Sequence, residues 1–327
     1  MQRTSTIGVI GLGIMGGMMA ETLRAHGHDV TGFDPAAAAR KRLAKCGGRP
    51  LASAAAVAQS ADIIIVSLPS SAALKAVSQE LANAPHAGKP RAGKNGSKPG
   101  QARRIVIETS TLPIADKEQA AALLQPAGFT VLDCPISGTA ARMKDRTWTI
   151  FLSGERAACK RVEPVLKAFT DNLPNVGAFG NGTKLKFSAN HLVAIYNVAY
   201  AESVTLARKM GLDPREMLKL FGPSDVLGTG VMRLRMPFMV ERKYTPPTMK
   251  IEVWQKDMQV IGDMAKSVNC PTPLFSACVP VYNAAMAQGL ALEDTASTAE
   301  VLGAMAGIAP VKKRSGTSSA RIKRTRL

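Results

Sequence analysis

No stretch of this 327-residue sequence reaches the ~18 apolar residues of a membrane span, so no transmembrane helix is expected. The opening, MQRTSTIGVIGLG, lacks the apolar region and small-residue cleavage site of a secretory signal and enters a strand pattern almost at once. Cysteine is scarce: Cys46, Cys134, Cys159, Cys270 and Cys278 are odd in number, scattered and form no CxxC pair. That argues against a disulfide framework and a zinc site, and the expectation is a reduced, cytoplasmic protein with no metal. Acids are also few, 24 against 42 Lys and Arg, giving a formal charge of +18. Such a charge resembles a nucleic-acid signal, but its distribution argues otherwise. The segment 85–104 holds Lys89, Arg91, Lys94, Lys98, Arg103 and Arg104 without an acid. The end of the chain holds Lys312, Lys313, Arg314, Arg321, Lys323, Arg324 and Arg326, again without an acid. Everything else carries only +5. Both segments are rich in Gly, Ser, Pro or Thr and have no aromatic residue on which a base could stack. They read as a solvated surface insertion at about 85–104 and a disordered tail at 306–327, and nucleic acid is not the expected partner.

What is present begins with an all-apolar strand, Thr6–Ile10, suited to a buried parallel sheet. Gly11-Leu12-Gly13-Ile14-Met15-Gly16 follows directly and opens a helix. Gly11 allows the tight turn, Gly13 lets backbone approach a pyrophosphate, and Gly16 lets helix and strand pack closely. The free N–H groups of the helix start then face the phosphates. A second strand ends at Asp34, 23 positions after Gly11, where an acid takes the adenosine ribose hydroxyls. Pro35 and a run of alanines follow, with no immediate arginine to hold a 2′-phosphate, which favours NAD; Arg40 and Lys41 leave NADP open. The alternation continues with a helix at 53–60, a strand at 61–68, a helix at Ser71–Ala82 and, after the basic insertion, a strand at Arg104–Glu108. Ligands in such sheets bind outside the carboxyl ends of the strands, so Leu68, Pro69, Ser70, Ser110 and Thr111 are candidates for the cofactor cleft, although hydroxyl residues before a helix are also ordinary caps. A helix at 114–125, strands at Phe129–Asp133 and 147–153 and a helix at 156–169 complete a Rossmann-type domain over 1–179. Between the last two strands, Ser137, Gly138 and Thr139 put hydroxyls and bare backbone N–H groups in one turn, which suits an oxyanion such as a substrate carboxylate.

The stretch 180–211 has no proline, and no glycine between Gly182 and Gly211. It reads as one helix of about 28 residues, against ~11–12 for an ordinary one. Thr183 lies in its capping region, and Arg208 and Lys209 in its last turn. Apolar residues lie nearly all round it, the pattern of a buried helix. Lys186 and Asn190, four apart, share a face, and Asn197 follows two turns on. A lysine there either snorkels to solvent or is buried beside a partner or cavity. Further helices are expected at Pro214–Phe221, 250–268, 274–288 and 294–305, giving an all-α second domain over 180–305 joined to the first by the long interdomain helix.

Four motifs in order carry a resemblance to the β-hydroxyacid dehydrogenases, over about residues 6–302. They are Gly11-Leu12-Gly13-Ile14-Met15-Gly16 with Met19-Ala20; Asp133-Cys134-Pro135-Ile136-Ser137-Gly138; Gly180-Asn181-Gly182-Thr183-Lys184-Leu185-Lys186 with Asn190; and Lys256-Asp257-Met258. The resemblance implies an NAD-dependent oxidoreductase acting on a small hydroxy acid or its semialdehyde or keto form. It implies Lys186 as general acid/base with Asn190 beside it, and Ser137, Gly138 and Thr139 as the substrate anchor. It further implies Lys256 in the cleft near substrate and nicotinamide, Thr111 near the nicotinamide ribose, Arg235 as a substrate contact, and a homodimer or homotetramer. The chain departs from the family pattern at Thr139, where a second glycine is usual. It departs again at Arg146-Thr147-Trp148, where Gly-Thr-Leu is usual, at Ala189, and near Gly228–Gly230. Two other functions fit parts of the sequence. One is a non-catalytic cofactor-binding protein with a nucleic-acid-binding tail; the other is an imine reductase. Lys186 speaks against both.

Overall fold

The computed structural model describes residues 6–84, 104–139 and 143–309. The expected basic insertion, apart from Arg104, and the basic tail beyond Ala309 lie outside these residues. Contacts divide the chain into two units: the described residues up to Ala194 with Val253–Ser276, and Ile195–Glu252 with the described residues from Ala277 on. Among the described residues no helix is long and apolar enough to cross a membrane.

The first unit runs β1 (Thr6–Ile10), α1 (Ile14–Ala25), β2 (Asp29–Phe33), α2 (Ala37–Lys45), β3 (Arg49–Pro50), α3 (Ala54–Ser60), β4 (Ile63–Val66), α4 (Ser71–Ala82), β5 (Arg104–Glu108), α5 (Ile114–Leu124) and β6 (Phe129–Asp133). These strands form one parallel sheet in the order β3-β2-β1-β4-β5-β6, the order of a dinucleotide-binding fold. Strand residues alternate between its faces. Ile7, Val9, Ile63, Ile65, Ile105 and Ile107 join one apolar core with Met19 and Leu23 of α1. Ile10, Ile64, Val66 and Val106 join the other with Val57, Leu74 and Leu81 of α3 and α4. Both faces are therefore covered, which is why the strands read as unbroken apolar runs rather than alternating ones.

A short antiparallel ribbon follows, β7 (Ile136–Ser137) with β8 (Thr149–Ile150), then α6 (Arg156–Leu166). A strand over 147–153 was expected, and only two of its residues pair with β7. Other backbone groups of the stretch bond elsewhere: Ile150 N to Asn172 O, Phe151 N to Pro135 O, Leu152 N to Pro174 O, and Ser153 to Asp133.

Next comes α7 (Asn181–Lys209), 29 residues between Gly180 at φ +89° and Gly211 at φ +78°. Its start is held by a buried polar cluster. Lys117 of α5 reaches Glu108 Oε2 at 2.6 Å and Asp133 Oδ1 at 2.8 Å, all three side chains essentially without solvent. Its ammonium also donates to Thr183 Oγ1 at 2.9 Å. Asp133 Oδ2 accepts from Thr183 N at 2.8 Å, so α7 is capped from the end of β6 rather than by its own Thr183, whose hydroxyl instead donates to Asp133 Oδ1. Gly182 permits the approach, since a Cβ there would lie 2.8 Å from Asp133 O and 2.9 Å from Pro135 Cδ. Burial alone would lower the Lys117 pKa; the two carboxylates outweigh it and hold it above the ordinary value. The helix is not buried all round: Leu185, Leu192 and Leu206 are exposed at heptad spacing.

The second unit takes the remainder of α7, α8 (Pro214–Phe221), α9 (Gly230–Glu241), the start of α10 (Ile251–Ser267), most of α11 (Pro273–Ala287) and α12 (Thr298–Met305) after a short 3-10 turn at Thr295–Ser297. Val204, Met232, Met236, Met239 and Ala299 fill its core. Helix α9 was not expected. Gly230 opens it and Pro237 interrupts its hydrogen-bond ladder, so local propensity argues against it, and the buried Met232, Met236 and Met239 face carries it instead.

Replacing Lys117 by Met leaves Glu108 and Asp133 buried without a cation. The expected loss of unfolding free energy in a denaturant titration is about 3–5 kcal/mol. Changing the exposed Arg215, paired with Asp213 and Glu241, to Met should leave the unfolding midpoint unchanged in the same titration, because solvent screens that pair.

Candidate active site

The glycine loop after β1 is shaped by lack of room. Gly11 has φ +84°, and a Cβ there would sit 2.1 Å from Ser67 O. A Cβ on Gly16 would sit 1.8 Å from Gly11 O. Gly13 is different: nothing among the described residues lies within 4 Å of its Cβ position. Gly13 is also the N-cap of α1, and no side chain caps that helix end. The turn therefore presents open space in front of uncapped N–H groups, which fits a dinucleotide pyrophosphate. Leu12 is buried beneath the loop, Ile14 is exposed and Met15 half-buried at the helix start.

Asp34 stands at the carboxyl end of β2, its Oδ2 accepting from Leu12 N and its Oδ1 from Ala36 N, both at 2.8 Å. Two backbone donors fix the carboxylate beside the loop while each oxygen keeps a further lone pair for a ribose hydroxyl. Arg40 turns back onto the carbonyls of Asp34 and Pro35 at 2.5 and 2.9 Å.

At the ends of β4 and β5, Pro69, Ser70, Thr111, Leu112, Pro113, Lys256 and Gln259 help line a cleft of about 330 Å³. The hydroxyls here are partly structural. Ser70 caps α4 through Ala73 N at 3.2 Å. Ser110 accepts from Leu68 N at 2.8 Å, tying the two strand ends together, and its own N–H goes to Glu108 Oε1.

Lys186, one turn beyond Gly182, is only 8% exposed, which excludes the snorkelling alternative; Lys184 is the exposed one. Among the described residues its ammonium has no hydrogen-bond or ion-pair partner. Burial pushes its pKa from 10.5 down to about 8, with Asp257 pulling it up and Lys256 adding to the fall. On the same face, Asn190 donates through Nδ2 to Asp257 Oδ2 at 2.9 Å. Asp257 Oδ1 pairs with Lys256 Nζ at 3.0 Å, and Lys256 donates to Thr111 O at 2.6 Å in the cleft wall. One chain of contacts thus runs from the helix face of Lys186 to the cleft. Asp257 joins the site although its only sequence signal is its place after Lys256 in Lys-Asp-Met.

Ser137 ends β7, two residues from Pro135, which packs under Gly182. Gly138 has φ +152°, and Thr139 O accepts from Trp148 Nε1 at 2.8 Å. Two residues are engaged elsewhere. Arg235 is buried in the second unit, where it pairs with Asp294 at 2.7 Å and contacts the Thr248 hydroxyl. Its Nη1 joins α9 to the turn before α12, because an arginine buried there requires an anion. Asn197 likewise serves the second unit, donating to Tyr282 OH and Thr295 O.

Two family models match the chain. One, described as the NAD binding domain of 6-phosphogluconate dehydrogenase, matches residues 6–177. The other, described as NAD-binding of NADP-dependent 3-hydroxyisobutyrate dehydrogenase, matches residues 180–302. The chain is 28% identical over 305 residues to the 3-sulfolactaldehyde reductase of Escherichia coli (strain K12), covering 93% of this chain and 98% of that protein. It is 28% identical over 297 residues to the L-threonate dehydrogenase of Cupriavidus necator, covering 90% and 95%. The solved structure of Mycobacterium tuberculosis 3-hydroxyisobutyrate dehydrogenase with L-serine matches with a TM-score of 0.78 at 25% identity, covering 91% and 99%.

The glycine loop yields a paired test. Gly13→Ala should leave the denaturation midpoint unchanged and weaken dinucleotide binding in a titration. Gly11→Ala should itself cost more than about 1 kcal/mol of stability, because it adds both a clash and a left-handed strain.

Proposed function

The chain belongs to the β-hydroxyacid dehydrogenases, and from that membership we propose that it moves a hydride between a small 2- or 3-hydroxy acid, or its semialdehyde or keto form, and NAD(P), with Lys186 as general acid/base. The observation that carries the catalytic reading is a buried lysine without a partner, poised near pH 8 beside a polar network. The bound nicotinamide supplies the hydride acceptor or donor. In the oxidative direction neutral Lys186 accepts the hydroxyl proton; in the reductive direction its ammonium returns one. Asp257 must face the amide N–H of Asn190, so the Asn190 carbonyl oxygen is turned away from it and available to orient the lysine or the substrate hydroxyl. Ser137, Gly138 and Thr139 hold the acid group, with Lys256 as a further cation at the cleft wall. Gly11, Gly13, Gly16, Asp34, Pro69 and Thr111 take the dinucleotide. NAD is preferred over NADP, since Arg40 is engaged with backbone carbonyls. The bare Leu185, Leu192 and Leu206 stripe of α7 supports a homodimer or homotetramer built through helix packing.

Lys186→Met should retain NAD(P) binding and lose turnover by at least about 10²-fold. Near-full activity of that variant across a panel of hydroxy acids would sink the assignment. Because the folded-state pKa is depressed from 10.5 to about 8, the ammonium costs the fold about 3 kcal/mol below pH 8, and that cost fades as pH rises from 8 to 10.5. The same variant is therefore expected to be more stable than wild type at pH 7 and no more stable at pH 10.5. Oxidation, which needs the neutral amine, should rise through a midpoint near pH 8, and reduction should fall through it.

A further inference from the structure

We propose that Trp148 is a positioning residue that fixes the Ser137-Gly138-Thr139 turn and thereby sets the affinity for the hydroxy-acid substrate. The inference rests on the reading of that turn as the substrate's anchor. Trp148 is in direct contact with the turn: its indole Nε1 donates to Thr139 O at 2.8 Å. The neighbouring residue is held as well. A Cβ on Gly138 would lie 2.3 Å from Trp148 Cδ1 and 2.9 Å from Nε1, so the ring packs directly against the glycine α-carbon. Ladder register explains the contact. Ser137 pairs with Thr149, which brings Gly138 and Trp148 opposite each other one step beyond the ribbon.

The indole is itself locked. Trp148 is fully buried, its carbonyl accepts from Thr170 Oγ1 at 2.6 Å, and its ring lies 6.3 Å from that of Phe169. An indole has one N–H to give, and here it is given to a carbonyl of the turn. The turn is thus ordered before any acid arrives, which spares the cost of ordering it on binding. The helix turn that carries Lys186 is held by other contacts: the Lys117 and Asp133 cluster at the start of α7 and the Asn190–Asp257 hydrogen bond on the same face. Loosening the turn should therefore weaken substrate binding without slowing the chemical step.

Trp148→Phe keeps a ring in place and removes the N–H. With the hydroxy acid best turned over in a panel, KM for the acid should rise about tenfold, the equivalent of one lost hydrogen bond, while kcat and the KM for NAD(P)+ stay within about twofold. Ser137→Ala is run beside it and should also raise KM. If Ser137→Ala raises KM and Trp148→Phe does not, Trp148 has no positioning role. If Ser137→Ala leaves KM unchanged, the anchoring turn itself is wrong. Equal falls in kcat and kcat/KM for Trp148→Phe would also overturn the proposal. A measurement on the unaltered protein covers the case of a variant that fails to fold. The chain has two tryptophans, so a ¹⁵N spectrum shows two indole N–H resonances, and Trp254→Phe identifies which is which. Adding the acid to the NAD(P)+-bound protein should shift the Trp148 resonance; an unmoved resonance contradicts the proposal.

Discussion

The buried ion cluster of Lys117, Glu108 and Asp133 is the constraint on which the rest of the first unit depends. Its members come from α5 and from the ends of β5 and β6, so it forms only once the parallel sheet is in register. It also has an output, because Asp133 caps α7 through Thr183 N. Burying three charges is costly, and a well-packed apolar substitute would often serve stability as well or better. What an apolar substitute could not do is satisfy the free N–H groups at a helix start while holding that start against a strand end. The cluster couples the carboxyl edge of the sheet, where a dinucleotide fits, to the helix that carries Lys186.

Lys186 shows the opposite arrangement. Lys117 has two carboxylates and its pKa is raised, whereas Lys186 is buried with no carboxylate paired to it and its pKa falls to about 8. The pKa values of two lysines in one unit are thus shifted in opposite directions by what surrounds them. The first is fixed as a cation and holds structure. The second can lose and regain its proton near neutral pH, at a cost in stability characteristic of functional sites. Asp257 stands between these extremes. It pairs with Lys256 and orients Asn190, but it is close enough to Lys186 only to moderate the effect of burial.

Much of this was legible in the residues. The apolar strands, the glycine spacing and Asp34 identify the sheet and its loop, because each follows from a local requirement: two covered faces, a tight turn, a close approach. The length of α7 and the i, i+4 relation of Lys186 and Asn190 follow from helical geometry alone. Long-range choices were not legible. The pairing of Arg235 with Asp294, far along the chain, follows from no local pattern. The 147–153 stretch was expected as one strand, yet Asn172, Pro174 and Asp133 take several of its backbone groups. Helix α9 escaped notice because Gly230 and Pro237 oppose it locally and only a buried methionine face supports it.

The sequence alone therefore determined most of the first unit's alternation of strands and helices, the two-domain class and the residue types available for chemistry, since those rest on periodicity and short-range sterics. The tertiary structure decided which charges are paired. It made Lys117 a fixed cation, left Lys186 without a partner, gave Asn190 its orientation through Asp257, and set Trp148 against Gly138. Pairing and burial depend on side chains from distant segments meeting in one place, and no window along the chain contains that information.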